Sequence, residues 1–247
     1  MNNGVIPISW AGIVLSLLPV LLVGWIFQKW SGRGSLTGYA TVRMVGQLLL
    51  MGYVLIHLFQ NESGWMGLLI VTMVLAVSSW IALRPLKQRG WRRYGVIMAA
   101  LALSGGGMLA FVLWVVVGLE PLYQPRYLIP LTGMIFANAM SAISLTGERY
   151  DMERTGGKPH ELARSVAFNA AMIPQINSFF AVGLVSLPGM MTGQILAGVD
   201  PAFAIRYQIV VMAMIFGSAG GAVALYLSWV HLTTEPADAA DAETARS

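Results

Sequence analysis

The sequence contains no cysteine and little charge: 11% of its 247 residues are Asp, Glu, Lys or Arg, against about 25% in soluble globular chains. The missing cysteine excludes disulfide frameworks, thiolate metal sites, iron–sulfur clusters and redox pairs, and leaves the redox compartment undetermined. A phosphate loop of the form G-x-x-x-x-G-K-[ST] is also absent, because Gly156-Gly157-Lys158-Pro159 does not match it; energy from ATP would have to come from another polypeptide. There is no HExxH, and His57, His160 and His231 are scattered along the chain, so neither a zinc protease site nor a Ser/His/Asp set can be assembled and no catalytic residue is assigned. No carboxylate falls at the middle of an apolar run, which weighs against a proton- or sodium-coupled carrier.

What is present is apolar: 57% of residues are hydrophobic and the mean hydropathy is +0.69. Breaking the chain at its charged side chains leaves seven long uncharged runs, 1–28, 44–61, 63–83, 94–119, 127–147, 165–199 and 207–234. A bilayer core needs about 20 helical residues per crossing, whereas transmembrane strands show about ten with alternating polarity. The fold class is therefore all-α, a polytopic membrane protein of about seven transmembrane helices with its helices in contact with lipid. Thirteen of the fifteen Lys and Arg fall in connections on one side, leaving Arg126 and Arg206 on the other. Basic connections face the cytoplasm, which puts the N-terminus outside and the C-terminus inside. The same short basic patches argue against nucleic acid as a partner, despite a pI near 9.6. The first run has no basic stretch before it and Lys29 and Arg33 after it, so it reads as a retained span. One transmembrane domain, 1–234, with an acidic, Ala-rich and disordered tail at 235–247, completes the expected organisation.

The run 165–199 is too long for one straight crossing: its 35 residues would extend about 52 Å against a hydrocarbon core of about 30 Å. Breaks are expected at Pro174 and Pro188. Irregular backbone at membrane depth survives only beside protein or a water-filled path. The polar and soft residues around Leu187-Pro188-Gly189, namely Ser186, Met190, Met191, Thr192, Gly193 and Gln194, together with Asn138, Met140 and Ser141, are the candidate pathway lining. Pro188 and Gly189 would form the break, Gly193 a close packing point, and Asn138, Ser186 and Gln194 the polar surface. Met190-Met191 could ligate a soft metal, but fifteen methionines along the chain favour ordinary packing. The connection 147–164 mixes signs around Gly156-Gly157 and reads as two short amphipathic helices. It is either a solvated connector or a docking element for a soluble partner.

Several stretches resemble the FetB-like permeases, membrane subunits of a bacterial ABC transporter described as an iron exporter and related to plant permeases of aluminium tolerance. The block from Gly183 to Gly198, GLVSLPGMMTGQILAG, followed by Asp200-Pro201 and Arg206-Tyr207-Gln208-Ile209, carries most of the resemblance. Shorter matches are Gly133-Met134-Ile135 with Asn138-Ala139-Met140, and Arg43 with Gln47-Leu48 and the stretch from Gly52 to Leu55. The resemblance implies a multi-pass permease of the inner membrane, pairing with itself and with a cytosolic ATPase subunit that binds ATP and Mg²⁺, and exporting iron or another metal ion. Glu153, Arg154, Gly156, Gly157, Lys158, Pro159 and Glu161 would then form the coupling element. The residues themselves do not name a cargo or metal ligands, and two readings stand beside this one: a partner-free channel, and a structural subunit that uses its small-residue faces for packing.

Overall fold

The computed structural model describes residues 8–32, 34–60, 64–120 and 124–232, without the side chains of His57, Phe59 and Gln60. The tail 235–247, Arg33, Arg246 and the His57 side chain lie outside the described residues. Those described are almost entirely helical and form no sheet. The chain divides into two compact units, residues 1–62 and 63–247.

The first unit is a helical hairpin. Ser9 caps α1 (Trp10–Ser16), its hydroxyl accepting from the Gly12 amide at 3.1 Å; this is the usual way to satisfy a first-turn donor. Pro19 sits in the first turn of α2 (Leu18–Ser31), where a missing N–H costs nothing. Residues 10–31 together are long and apolar enough to cross a membrane, as is most of α3 (Gly34–Gln60). The side-chain carbonyl of Gln28 accepts from the Gly34 amide at 2.7 Å and ties the hairpin turn.

The second unit contains α4 (Gly64–Leu83), α5 (Trp91–Leu101), α6 (Gly107–Phe111), α7 (Pro125–Thr155), α8 (His160–Ala181), α9 (Gly189–Leu196) and α10 (Pro201–Trp229). Two π-helical segments, Ala102–Gly106 between α5 and α6 and Val112–Val116 after α6, complete with them one 26-residue span. The core includes many alanines, with Ala82, Ala100, Ala139, Ala142, Ala163, Ala167, Ala219 and Ala222 all buried. Small residues are what allow helices to approach closely where lipid supplies no hydrophobic drive. Gly217 and Gly221 of α10 belong to this pattern, facing Met108 and Ser104, and the Ser104 hydroxyl donates to the Ser218 carbonyl at 2.9 Å.

Among the described residues six helical stretches have the length and hydropathy of membrane spans, close to the seven expected. The difference lies in residues 165–199. Here α8 continues through Pro174, and the break falls at 182–188 with Pro188 immediately ahead of α9. The backbone is reorganised rather than left open: the Ala181 carbonyl accepts from Val185 (2.8 Å) and Ser186 (3.1 Å), and the Ser186 carbonyl from Gly183 (3.0 Å). Gly183 adopts φ +85°, a conformation that a side chain would strain.

The expected pair of short helices at 147–164 does not form. No proline or glycine lies between Gly147 and Gly156, so α7 runs on to Thr155, and only 156–159 separates it from α8. At about 1.5 Å per residue its 31 residues extend about 46 Å, well beyond the hydrocarbon layer. The start of α5, the end of α7, the start of α8 and the end of α10 meet at one end of this unit. Tyr127 and Tyr207 stack with ring centres 6.5 Å apart, joining the starts of α7 and α10 at the other. Residues 160–200 therefore carry the chain from the first end to the second in two helical pieces.

Candidate functional site

The break between α8 and α9 opens a cleft of about 640 Å³ against the first half of α10, lined mainly by Phe179, Val182, Leu187, Met191, Gln208 and Met212. Its size suits a small ligand. The polar side chain in this lining is Gln208, which is 6% exposed and whose Oε1 has no hydrogen-bond partner among the described residues. A buried amide oxygen without a donor costs about 1–3 kcal/mol, so the cleft wall at Gln208 would gain from a rearrangement that brings a donor to this oxygen. The neighbouring thioethers of Met191 and Met212 are weak, soft acceptors. Gln194 on α9 likewise has a buried Oε1 with no partner among the described residues.

At the basic end, α5, α7 and α10 are tied by one buried cluster. The Arg93 guanidinium donates to both Asp151 oxygens, from Nη1 at 3.0 Å and from Nη2 at 2.8 Å. It also donates to the Tyr226 hydroxyl from Nε at 2.9 Å and Nη2 at 2.6 Å. This two-pronged geometry uses the planar fork that distinguishes arginine from lysine. Gly147 makes room for it: a Cβ there would lie 2.6 Å from Leu86 Cδ2 and 2.9 Å from the Tyr226 hydroxyl.

Two residues after Asp151, Glu153 is buried and holds two cations, Arg149 at 2.6 Å and Lys158. The Lys158 amide donates to the Glu153 carbonyl and the Gly157 amide to that of Arg154, each at 3.1 Å, with Gly157 at φ +81°. This is a Schellman ending, closed by glycine for its left-handed backbone. The Arg154 guanidinium donates to the Lys158 carbonyl at 2.9 Å. His160 follows. Its Nδ1 shares a 2.8 Å hydrogen bond with the Tyr150 hydroxyl, and its ring centre is 5.3 Å from that of His231. Burial, then His231, Arg164 and Arg154, hold the His160 imidazole below its ordinary pKa, against an opposing pull from Glu161.

Residues 10–233 match the family described as Uncharacterised protein family (UPF0014). The chain belongs to that family. A UPF0014 membrane protein of Synechocystis is 34% identical over 235 residues, covering 87% of this chain and 89% of the relative. The Escherichia coli protein named "Probable iron export permease protein FetB" is 34% identical over 76% of this chain and 77% of its own. Protein ALUMINUM SENSITIVE 3 of Arabidopsis thaliana is 32% identical over 91% and 86%. No solved structure matches the chain.

In this UPF0014 protein the expected lining residues occupy different settings. Met191 lines the cleft. Pro188 directly precedes α9, and its carbonyl accepts from both the amide and the hydroxyl of Thr192, at 3.0 and 3.1 Å. Gly189 and Gly193 have no heavy atom within 4 Å of a Cβ placed on them, so neither marks a close helix contact among the described residues. Ser186 is exposed, and Met190 packs on the core. On α7, Asn138 and Ser141 bond back to the carbonyls of Met134 and Ala137, each at 2.8 Å, while Met140 packs on the core. Of the expected coupling residues, Glu153, Arg154 and Lys158 form the closed turn with Gly156 and Gly157 between them. Pro159 precedes α8, and Glu161 lies exposed in its first turn.

The sequence reading missed Gln208, Arg93, Asp151 and Tyr226, and it treated His160 and His231 as unrelated. For Asp151 a signal existed. The buried face of α7 repeats through 135/136, 139, 142/143 and 146/147, and continuing that period reaches Tyr150 and Asp151. Among the described residues no group of three His, Cys, Asp or Glu could hold a metal ion.

Proposed function

We propose that this membrane protein is the permease subunit of an ATP-driven exporter, with iron or another metal ion as cargo. The observation that carries the reading is the cleft beside the α8–α9 break, at a discontinuous span and with the buried Gln208 in its wall. Broken helices beside a binding site are a recurrent feature of transporters. The name of the E. coli relative supports export of iron. A cytosolic ATPase subunit binds ATP and Mg²⁺ and acts on the basic end, two copies of the permease pairing with it in the inner membrane. Closure of the ATPase displaces the turn 156–159, and because Glu153 and the Arg93 cluster tie that turn to α5, α7 and α10, the displacement reaches the cleft.

The cleft offers one amide oxygen and two thioethers, far from the six or so ligands that a bare hard cation requires. Cargo is therefore held weakly and briefly, or it travels as a complex. Co-reconstitution with a candidate cytosolic ATPase subunit tests the proposal. ATP-dependent metal efflux that needs both proteins, and that falls about tenfold in Gln208→Leu while α-helical content is unchanged, is the expected result. Metal flux through this chain alone would support the channel reading instead.

A further inference from the structure

The connection between α4 and α5 together with the first turn of α5 carries Arg84, Lys87, Arg89, Arg92 and Arg93 and no carboxylate. Arg93 is neutralised internally by Asp151. Arg84 and Arg89 are exposed and line a cavity of about 360 Å³ whose other walls are Trp80, Leu83, Trp91 and Tyr94. Among the described residues no carboxylate pairs with either arginine; Arg89 uses only its Nε, donating to the Leu86 carbonyl at 3.1 Å. The walls are set rather than loose: Trp91 and Tyr94 meet edge to face at 5.8 Å, and the Tyr94 hydroxyl donates to the Ala76 carbonyl at 3.2 Å. Trp80 lies three residues from the end of one span and Trp91 begins the next, which puts the cavity at the level of a membrane interface, where indole rings concentrate.

We infer that this cavity binds the headgroup of an anionic phospholipid. The phosphate would sit between Arg84 and Arg89, and the upper acyl chains would lie along Trp80 and Leu83. Charge and shape both select for such a molecule. Two unpaired guanidinium groups favour phosphate, the aromatic walls favour an amphiphile at the interface over a fully hydrated anion, and cationic pockets between spans are suited to acidic lipid headgroups. A volume of about 360 Å³ accommodates a phosphoglycerol group but not a folded protein element. This inference does not depend on the permease reading.

The test uses the full chain purified in detergent and incubated with equal amounts of phosphatidylglycerol and phosphatidylcholine, with retained lipid counted by native mass spectrometry. Phosphatidylglycerol should be preferred, and the preference should weaken with added salt because exposed charges are screened. Replacing both arginines, Arg84→Gln with Arg89→Gln, should lower that preference about 30-fold, about fivefold for each charge. Arg84→Lys with Arg89→Lys should retain most of it. Trp91→Ala, which keeps both charges, should reduce retention severalfold and provides a readout if the glutamine pair fails to fold. Equal retention by the glutamine pair would overturn the inference, as would displacement of the lipid by millimolar inorganic phosphate. It would also be overturned if the glutamine pair kept its lipid preference but lost the ATPase, because the cavity would then be a protein-docking surface.

Discussion

Replacing Arg93 with methionine should destabilise the protein more than any comparable change at its surface. The side chains of Arg93 and Asp151 are 3% and 8% exposed, and two direct bonds between them are joined by two more to Tyr226. Methionine keeps much of the volume but strands a buried carboxylate, which costs about 3–5 kcal/mol. At about 2–4 °C per kcal/mol for a chain of this size, Tm in detergent should fall by about 6–20 °C. Replacing the pair together, Arg93→Met with Asp151→Leu, removes both charges and should recover most of that loss, because a buried ion pair gives little net stability over an apolar one. Thermal unfolding followed by circular dichroism on the wild type, each single variant and the double variant completes the cycle. If Arg93→Met unfolds within about 2 °C of wild type, or the double variant loses as much as the two singles added together, the two side chains are not coupled and the cluster does not clamp the three helices.

Other outcomes follow from the same geometry. Gly147→Ala should cost about 1–3 kcal/mol by overpacking Leu86 and Tyr226, seen as a lower Tm than wild type. The His160 pKa is held below its unfolded value, so the neutral ring favours folding; this contribution is complete above about pH 6.5 and is lost as pH falls through the lower folded value. Melting curves taken across that window should therefore show Tm dropping on acidification, and His160→Asn should flatten the drop. Glu153→Gln removes the partner of both Arg149 and Lys158 and should lower transport while leaving ATP hydrolysis by the assembled complex running, measurable as a reduced ratio of cargo moved to phosphate released.

The spans were legible in the sequence because their signal is cumulative: about twenty apolar residues in a row fit a helix immersed in lipid and little else. The chain break near Pro188 was legible for a similar reason, since 35 uncharged residues exceed the bilayer. Its position was less so. Pro174 is tolerated inside α8, and the interruption begins at Val182, where the glycine at 183 rather than the earlier proline allows the chain to turn. The cluster at the basic end escaped because a charge next to an apolar run looks the same whether it points to water or inward. Arg92 and Arg93 are adjacent, yet the first is exposed and the second buried, and only the tertiary arrangement of α7 and α10 separates them. Gln208 escaped because a lone amide near a helix start has no distinguishing neighbours in the chain; its setting, buried in the wall of the cleft beside α9, is set by tertiary structure.

The extra length of α7 has a mechanical consequence. A rod about 46 Å long, clamped to two neighbours near its tip and packed below along a face that includes Leu131, Ile135, Phe136, Ala139 and Ile143, transmits a push on its basic end as rotation more readily than as local bending. The segment that can yield to such rotation is the jointed one, where α8 hands over to α9 through seven residues of turn, so compliance in this unit is concentrated beside the cleft.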